Sequence, residues 1–471
     1  MSTTVERMSR VDNAWLRMDN DVNLMVIVGV WLLHPAVHYD ALCRRVEERL
    51  LQYPRFRQKV VRDALGAVWV DDAGFDIHRH VLRETLPRRR GQSERAALQA
   101  RCGELATTPL DPERPLWQFH LVEHYEGGSA LLVRIHHCIG DGIALTSVVL
   151  SITDGGELPP PHERPAREGE HDWLSDTLIR PLTDLAVKAI DLSGEGVARS
   201  MEAAAHPQDS TRELARLGVR VATDMAALAL MDNDSPTRLK GKPRGRKVVA
   251  WGEPVPLDVV KSVGKSLGAS VNDVLLACVA GAIGDYLRGL GDDPADKGIR
   301  AMVPVNLRPL DEAYKLGNRF GLAPLVLPIG IDNPVARVLV VRERMGGLKG
   351  SYQPVLAFGV LALAGLLNQR TQDALLGLFA KKATAVMTNV PGPAQELQFC
   401  GAALRQSIFW VPQTGDVAVG VSIFSYAGGV QFALITDSEI CAEPQQIVDR
   451  FAPELDKLVW LALMLPWGDR G

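Results

Sequence analysis

No run of apolar residues in this chain is long enough to cross a bilayer as a helix. A span takes roughly 20 such residues, and the longest stretches, "VLAFGVLALAGLL" (355–367) and "LVWLALMLPW" (458–467), fall short. They read as buried helices, or as helices lying on a lipid surface. The opening residues, "MSTTVERMSRVDNAW", lack the apolar core of a secretory signal. An excess of either charge is also missing: 52 basic residues stand against 56 acidic ones, for a net charge of −4. That balance offers no footprint for nucleic acid. The six cysteines, Cys43, Cys102, Cys138, Cys278, Cys400 and Cys441, form no CxxC pair. Their wide spacing argues against a zinc site or a disulfide framework, and suits small apolar residues in a reducing cytoplasm. There is no GxSxG elbow and no cysteine in a nucleophile signature, which argues against covalent catalysis. Histidine is absent from the second half, since all eleven lie at or before His206. That half cannot supply an imidazole base, so one site, furnished mainly by the first half, is expected.

What is present is an ordinary globular composition, 46% hydrophobic and 23% charged, over 471 residues. This length implies more than one domain. "NLMVIVGVWLL" (23–33) reads as a buried strand, and residues 40–56 carry a helical stripe at Leu42, Val46 and Leu50. Residues 115–137 read as a hairpin turning at "EGG", and 141–153 as the helix that follows. A Pro-rich polar stretch (154–171) reads as a linker. Beyond it, helix-period stripes fall at Leu174, Leu178, Leu182 and Leu185, and at Leu214, Leu217, Val221, Met225 and Leu228. "RLKGKPRGRK" (238–247) holds six basic residues in ten. It is either a solvated linker or a contact for phosphate or anionic lipid. An α/β pattern then restarts: a short strand, a helix and a buried helix in 252–283, strands at 299–309 and 385–393, and a second hairpin at 417–436 turning at "AGG". The expected organisation is an α/β fold in two subdomains, 1–155 and 248–471, joined by a linker and amphipathic helices at 156–247.

The chemistry concentrates in "RIHHCIGDGIAL" (134–145), where a strand ends and a helix begins. At period two, Val133, Ile135 and His137 share one face and Arg134 and His136 the other. The imidazoles therefore point apart, which suits neither a metal chelate nor joint action on one atom. General base catalysis remains: one neutral histidine takes the proton of a bound hydroxyl as it attacks an already activated acyl group. Asp141 can fix the corner, and Gly142 lets backbone pass close.

"HHCIGDG" resembles the HHxxxDG motif of the chloramphenicol-acetyltransferase-like acyltransferases. Other stretches point within that superfamily to the wax ester synthase/diacylglycerol acyltransferases: "VDNAWLRMD" (11–19), "PLW" (115–117), "VND" (271–273), "VPVNLRP", "GNRFG" (317–321) and "TNVPGP" (388–393). The resemblance runs in order from about residue 8 to about 465. It implies two mixed β-sheets flanked by helices, with a tunnel between the halves. It implies acyl transfer from fatty acyl-CoA, a co-substrate, to a long-chain alcohol or diacylglycerol, with no metal, no cofactor and no covalent intermediate. A protein in the cytoplasm, attached peripherally to membrane or lipid inclusions, fits that role.

Carried over residue by residue, the resemblance makes His137 the base, with His136 and Gly142 shaping the corner. Asp141 becomes a structural carboxylate paired with an arginine. Asn272 and Asp273 brace the tunnel or approach the thioester, although Asn272 also suits a helix N-cap. Pro115, Leu116 and Trp117 line the acyl path or simply pack. Ser422 or Asn389 is the candidate oxyanion donor. "VSIFSYAGG" stands where plant alcohol acyltransferases carry DFGWG, which argues against that group. Two alternatives stay open: a same-fold acyltransferase for a hydroxylated secondary metabolite or polyketide, and a non-catalytic binder of acyl-CoA or lipid.

Overall fold

The computed structural model describes residues 5–63, 66–156, 231–308, 315–349, 353–364 and 381–464. Most of the linker and both leucine-striped segments (174–185 and 214–228) lie outside the described residues.

Two large sheets organise the molecule. The first has six strands in the order Gln398–Phe399, Ala402–Trp410, Val26–His34, Gly128–His136, Trp117–Tyr125 and Val81–Glu84. The second runs Phe320–Leu327, Ile299–Asn306, Ala385–Pro391, Val419–Tyr426, Gly429–Asp437 and Lys247–Trp251, with Val255–Pro256 added beside Gly429–Asp437. Both mix parallel and antiparallel pairs. A small third sheet joins Val5–Arg7, Gly66–Asp71 and Gln58–Asp63.

The two expected hairpins form, and for the same local reason. Their two-residue turns, Glu126–Gly127 and Ala427–Gly428, have all four φ values positive, from 46° to 79°. That geometry matches the twist of the flanking strands. Each sheet packs into its own buried cluster. Trp15, Trp31, Trp69 and Trp117 anchor the first. The second gathers round the buried helix Val271–Gly289.

One connection was not legible in the pattern. Residues 398–410 follow a strand of the second sheet, yet pair in the first: Phe409 sits opposite Gly29 and Trp410 opposite Val28. The second half thereby contributes a wall to the first sheet. Across the gap the halves also meet at Gly140 and Gly317, which form an isolated parallel bridge.

Candidate active site

The strand Gly128–His136 delivers the histidines, and the helix Gly142–Ile152 begins six residues after its end. Alternation holds one residue past the strand's end. Val133, Ile135 and His137 line a cavity of about 660 Å³. Arg134, on the other face, is buried and donates to Gln118 Oε1 at 2.7 Å.

His137 is held from three sides. Its backbone N–H donates to Met25 O at 2.7 Å, and its carbonyl accepts from Asn318 Nδ2 at 2.7 Å. Its ring stacks on Trp15 with centroids 4.2 Å apart and planes at 14°, and Phe320 approaches at 5.6 Å. No carboxylate grips it: Nδ1 is buried without a hydrogen-bond partner among the described residues. Burial pushes its pKa down to about 4, against the opposing pull of the Asp141 charge. The imidazole is therefore neutral at pH 7, the form a general base requires.

Asp141 is fully engaged elsewhere. Oδ1 caps the helix by accepting from Ala144 N at 3.0 Å; Oδ2 accepts from Arg308 Nη2 at 3.0 Å and Arg319 N at 2.9 Å. Arg308 and Asp141 are both buried, so this ion pair locks the corner to the second half. The clasp continues on both sides. Arg308 also donates to Gly317 O at 2.7 Å, and Gly317 N donates to Ile139 O at 3.0 Å. Gly317 has φ +108°, a backbone region that side chains rarely adopt, and its Cβ position faces Asp12 Oδ2 at 3.4 Å. Buried Asp12 accepts from Asn318 N at 3.0 Å and Asn318 Nδ2 at 2.7 Å, while desolvation raises its pKa to about 6.

His136 turns away from the cavity. Its Nδ1 accepts from Cys138 N at 3.1 Å and its Nε2 lies 3.2 Å from Asp19 Oδ2. Asp19 also holds Met25 N, next to the backbone contact of His137. Gly142 borders the cavity, where a Cβ would meet only Val390 at 4.0 Å.

Several expected residues sit elsewhere. The N-cap of Val271–Gly289 is Ser270, not Asn272. Asn272 lines the cavity and accepts at 2.8 Å from Asn389 Nδ2, also a lining residue. Asp273 does not line it. Its carboxylate accepts from Ser270 N at 2.8 Å while Ser270 Oγ accepts from Asp273 N, a reciprocal cap that needs an acid at this position. Ser422 is buried behind Thr388, its Oγ 3.5 Å from Thr388 Oγ1, and is absent from the lining. It cannot serve the oxyanion from there. Pro115, Leu116 and Trp117 are likewise absent from the lining. Trp117 is fully buried, donates from Nε1 to Phe56 O at 2.9 Å and stacks on His80; Leu116 O accepts from His136 N at 2.9 Å. This triplet is packing.

The basic stretch is only partly solvated. Lys247 is buried and donates to Asn23 Oδ1 at 2.9 Å across the halves, with its pKa lowered by burial to about 8. Arg238 pairs with Asp292, and Lys240 donates to Ala383 O. Lys242, Arg244 and Arg246 are exposed.

Sequence reasoning assigned no role to Trp15, Asp12, Asp19, Arg308 or Asn318. Their only signal was membership of "VDNAWLRMD", "VPVNLRP" and "GNRFG", because each acts on residues over 100 positions away, or on a backbone turn no spacing reveals.

Two mixed sheets thus meet at one cavity, with His137 buried against its wall, and this fold is shared with condensation domains and with wax ester synthase/diacylglycerol acyltransferases. Among solved structures, the chain resembles the first condensation domain of the calcium-dependent antibiotic synthetase, with TM-score 0.60, 17% identity, and 98% of this chain and 97% of that one covered. It also resembles the wax ester synthase/diacylglycerol acyltransferase of Marinobacter aquaeolei VT8, with TM-score 0.65, 21% identity, and 97% and 100% covered. The model of the wax ester synthase/diacylglycerol acyltransferase catalytic domain matches residues 8–275, and that of the family's C-terminal domain residues 316–459. The chain belongs to the wax ester synthase/diacylglycerol acyltransferase family. Two probable diacylglycerol O-acyltransferases of Mycobacterium tuberculosis are similar over 451 aligned residues each. One is 26% identical, covering 94% of this chain and 92% of the relative; the other is 28% identical, covering 90% and 92%.

Proposed function

We propose that this acyltransferase moves a fatty acyl group from acyl-CoA to the hydroxyl of a long-chain alcohol or a diacylglycerol, with His137 as general base. The neutral imidazole takes the hydroxyl proton as the oxygen attacks the thioester carbonyl. The tetrahedral adduct then collapses, the C–S bond breaks, and the imidazolium returns the proton to the CoA sulfur. The products are an ester and free CoA. Asp141 relays no proton, because its oxygens are committed to Ala144, Arg308 and Arg319. The Trp15 face parallel to the ring favours the imidazolium through its π-electrons. Asn389, as a lining amide, is the better oxyanion donor of the two considered.

The observation that carries this reading is a buried, uncharged His137 facing a cavity whose wall is largely aliphatic and aromatic. A lipid tail gains from burial there, while a polar metabolite finds few partners. The exposed apolar residues of the helix Phe451–Met464, Trp460 (64%), Leu463 (56%) and Met464 (76%), support work at a lipid surface.

The test is CoA release from palmitoyl-CoA with hexadecanol, with diacylglycerol, or with neither, beside a folded His137→Ala variant. Release that requires an acceptor and vanishes in the variant is expected. No release with either acceptor would return the weight to a binding protein or a different acceptor class.

A further inference from the structure

Gly29 sits in the middle of the strand Val26–His34 and lines the cavity. An interior strand glycine costs chain entropy, so its presence calls for a reason. Close packing is one: at Gly128 a Cβ would lie 2.1 Å from Leu33 O, and at Gly321 it would lie 1.8 Å from Pro354 O. A left-handed backbone is another. Neither applies at Gly29. Its φ is not in that region, and a Cβ would meet Ile408 O at 3.4 Å, Phe409 Cβ at 3.7 Å and Val133 Cβ at 4.0 Å, all ordinary contacts. Any side chain longer than Ala would extend into the cavity. Gly29 therefore serves the space and not the backbone.

The register says what that space is for. Gly29 pairs with Val133 on one side and Phe409 on the other. Val133, Ile135 and His137 form one row on the cavity face. Four residues of strand separate Val133 from His137, roughly 13 Å at about 3.3 Å each. Along a zigzag hydrocarbon advancing about 1.25 Å per carbon, from a C–C bond of about 1.5 Å, that distance is about ten carbons from the reacting centre.

We infer that Gly29 is a chain-length gauge: it keeps open an arm of the cavity in which one of the two lipid tails passes between Val133 and Phe409. The inference rests on the proposed transfer reaction for its reacting centre at His137, hence for the carbon count and for which tail this is.

The test grades the side chain: Gly29→Ala, Gly29→Val and Gly29→Leu. CoA release is measured with C8, C12 and C16 acyl-CoA at fixed hexadecanol, then with C8, C12 and C16 alcohols at fixed octanoyl-CoA. The longest chain accepted is expected to shorten stepwise from Gly to Leu. C16 turnover falls about 10- to 100-fold in Gly29→Leu, the range for one badly placed methylene in an apolar pocket, and C8 turnover is kept. The series that shifts identifies the tail. Calorimetric binding of free C8 and C16 fatty acids reads the same cutoff without turnover, so absence of transferase activity would sink the reaction and leave the gauge under test. An unchanged length profile, or an equal loss at every length with binding lost in parallel, overturns the inference.

Discussion

Two aspartates open two helices on either side of the cavity, and they divide the labour differently. Asp141 starts Gly142–Ile152 and Asp273 sits in the first turn of Val271–Gly289. Each is buried, and each completes a helix cap. Asp273 stops there, its carboxylate turning back to Ser270 within its own helix start. Asp141 uses one oxygen for the cap and the other to hold Arg308 and Arg319 of the second half. In sequence the two look alike, a short acid-bearing motif before an apolar helix. The second oxygen makes the difference, converting a local cap into the joint that fixes His137 between two halves.

The largest effect expected does not touch either aspartate. His137→Ala should lower kcat by about 10²–10⁴, the usual worth of a positioned general base, with little change in melting temperature; a loss below tenfold would move the chemistry elsewhere. Next comes Asp141→Ala. It breaks the buried ion pair with Arg308 and removes the cap, which should cost about 3–5 kcal/mol in denaturant unfolding, with a fall in kcat. Adding Arg308→Met should recover part of that stability. Trp15→Leu should reduce kcat by about 30-fold through loss of a desolvated cation–π contact worth about 2 kcal/mol, leaving the KM for acyl-CoA nearly constant. Asp273→Ala should cost only about 1 kcal/mol, a lost cap, with kcat preserved. If Asp273→Ala abolished turnover while staying folded, the contrast between the two acids would be wrong.

Stability should also depend on pH in a way that separates two buried groups of the first half, His137 and Asp12. The folded pKa of His137, about 4, lies below its ordinary value of 6.5. Its contribution is present above pH 6.5 and lost as pH falls toward 4. Asp12 has the opposite sign. Its folded pKa is raised to about 6, so its contribution is present at low pH and lost as pH rises toward 6. In wild type the two oppose each other between pH 4 and 6. In His137→Gln the His137 contribution is gone while that of Asp12 stays, so the variant's melting temperature should rise relative to wild type on acidification through that window.

How much of this was legible in the sequence follows from the range of the forces involved. Local signals sufficed for the hairpins, whose turns need positive φ at Glu126–Gly127 and Ala427–Gly428, and for the helix after the histidines. Strand alternation placed His137 and His136 on opposite faces, as found. The arginine partner that the resemblance implied for Asp141 is Arg308. Ser422 shares a sheet face with its cross-strand partner Thr388, but Thr388 lines the cavity and Ser422 lies buried behind it, a difference that no local pattern marks. Of the two readings of Pro115, Leu116 and Trp117, packing is the one that holds: Trp117 is fully buried and bonded to Phe56 O. Asn272 suited a cap by type, but Ser270 lay two residues closer to the turn. The transfer of residues 398–410 into the first sheet left no local mark, since pairing with Val26–His34 is a contact across more than 360 positions.

The most direct measurement is the pH dependence of kcat/KM for acceptor-dependent CoA release, in wild type and in a folded His137→Gln variant. The wild-type rate should stay level from pH 8 through 6 and fall only as pH approaches about 4, where His137 takes up a proton. The residual rate of the variant should lack that limb. A wild-type rate falling through pH 6.5, or a variant that keeps the wild-type limb, would contradict a buried, neutral His137 as the base.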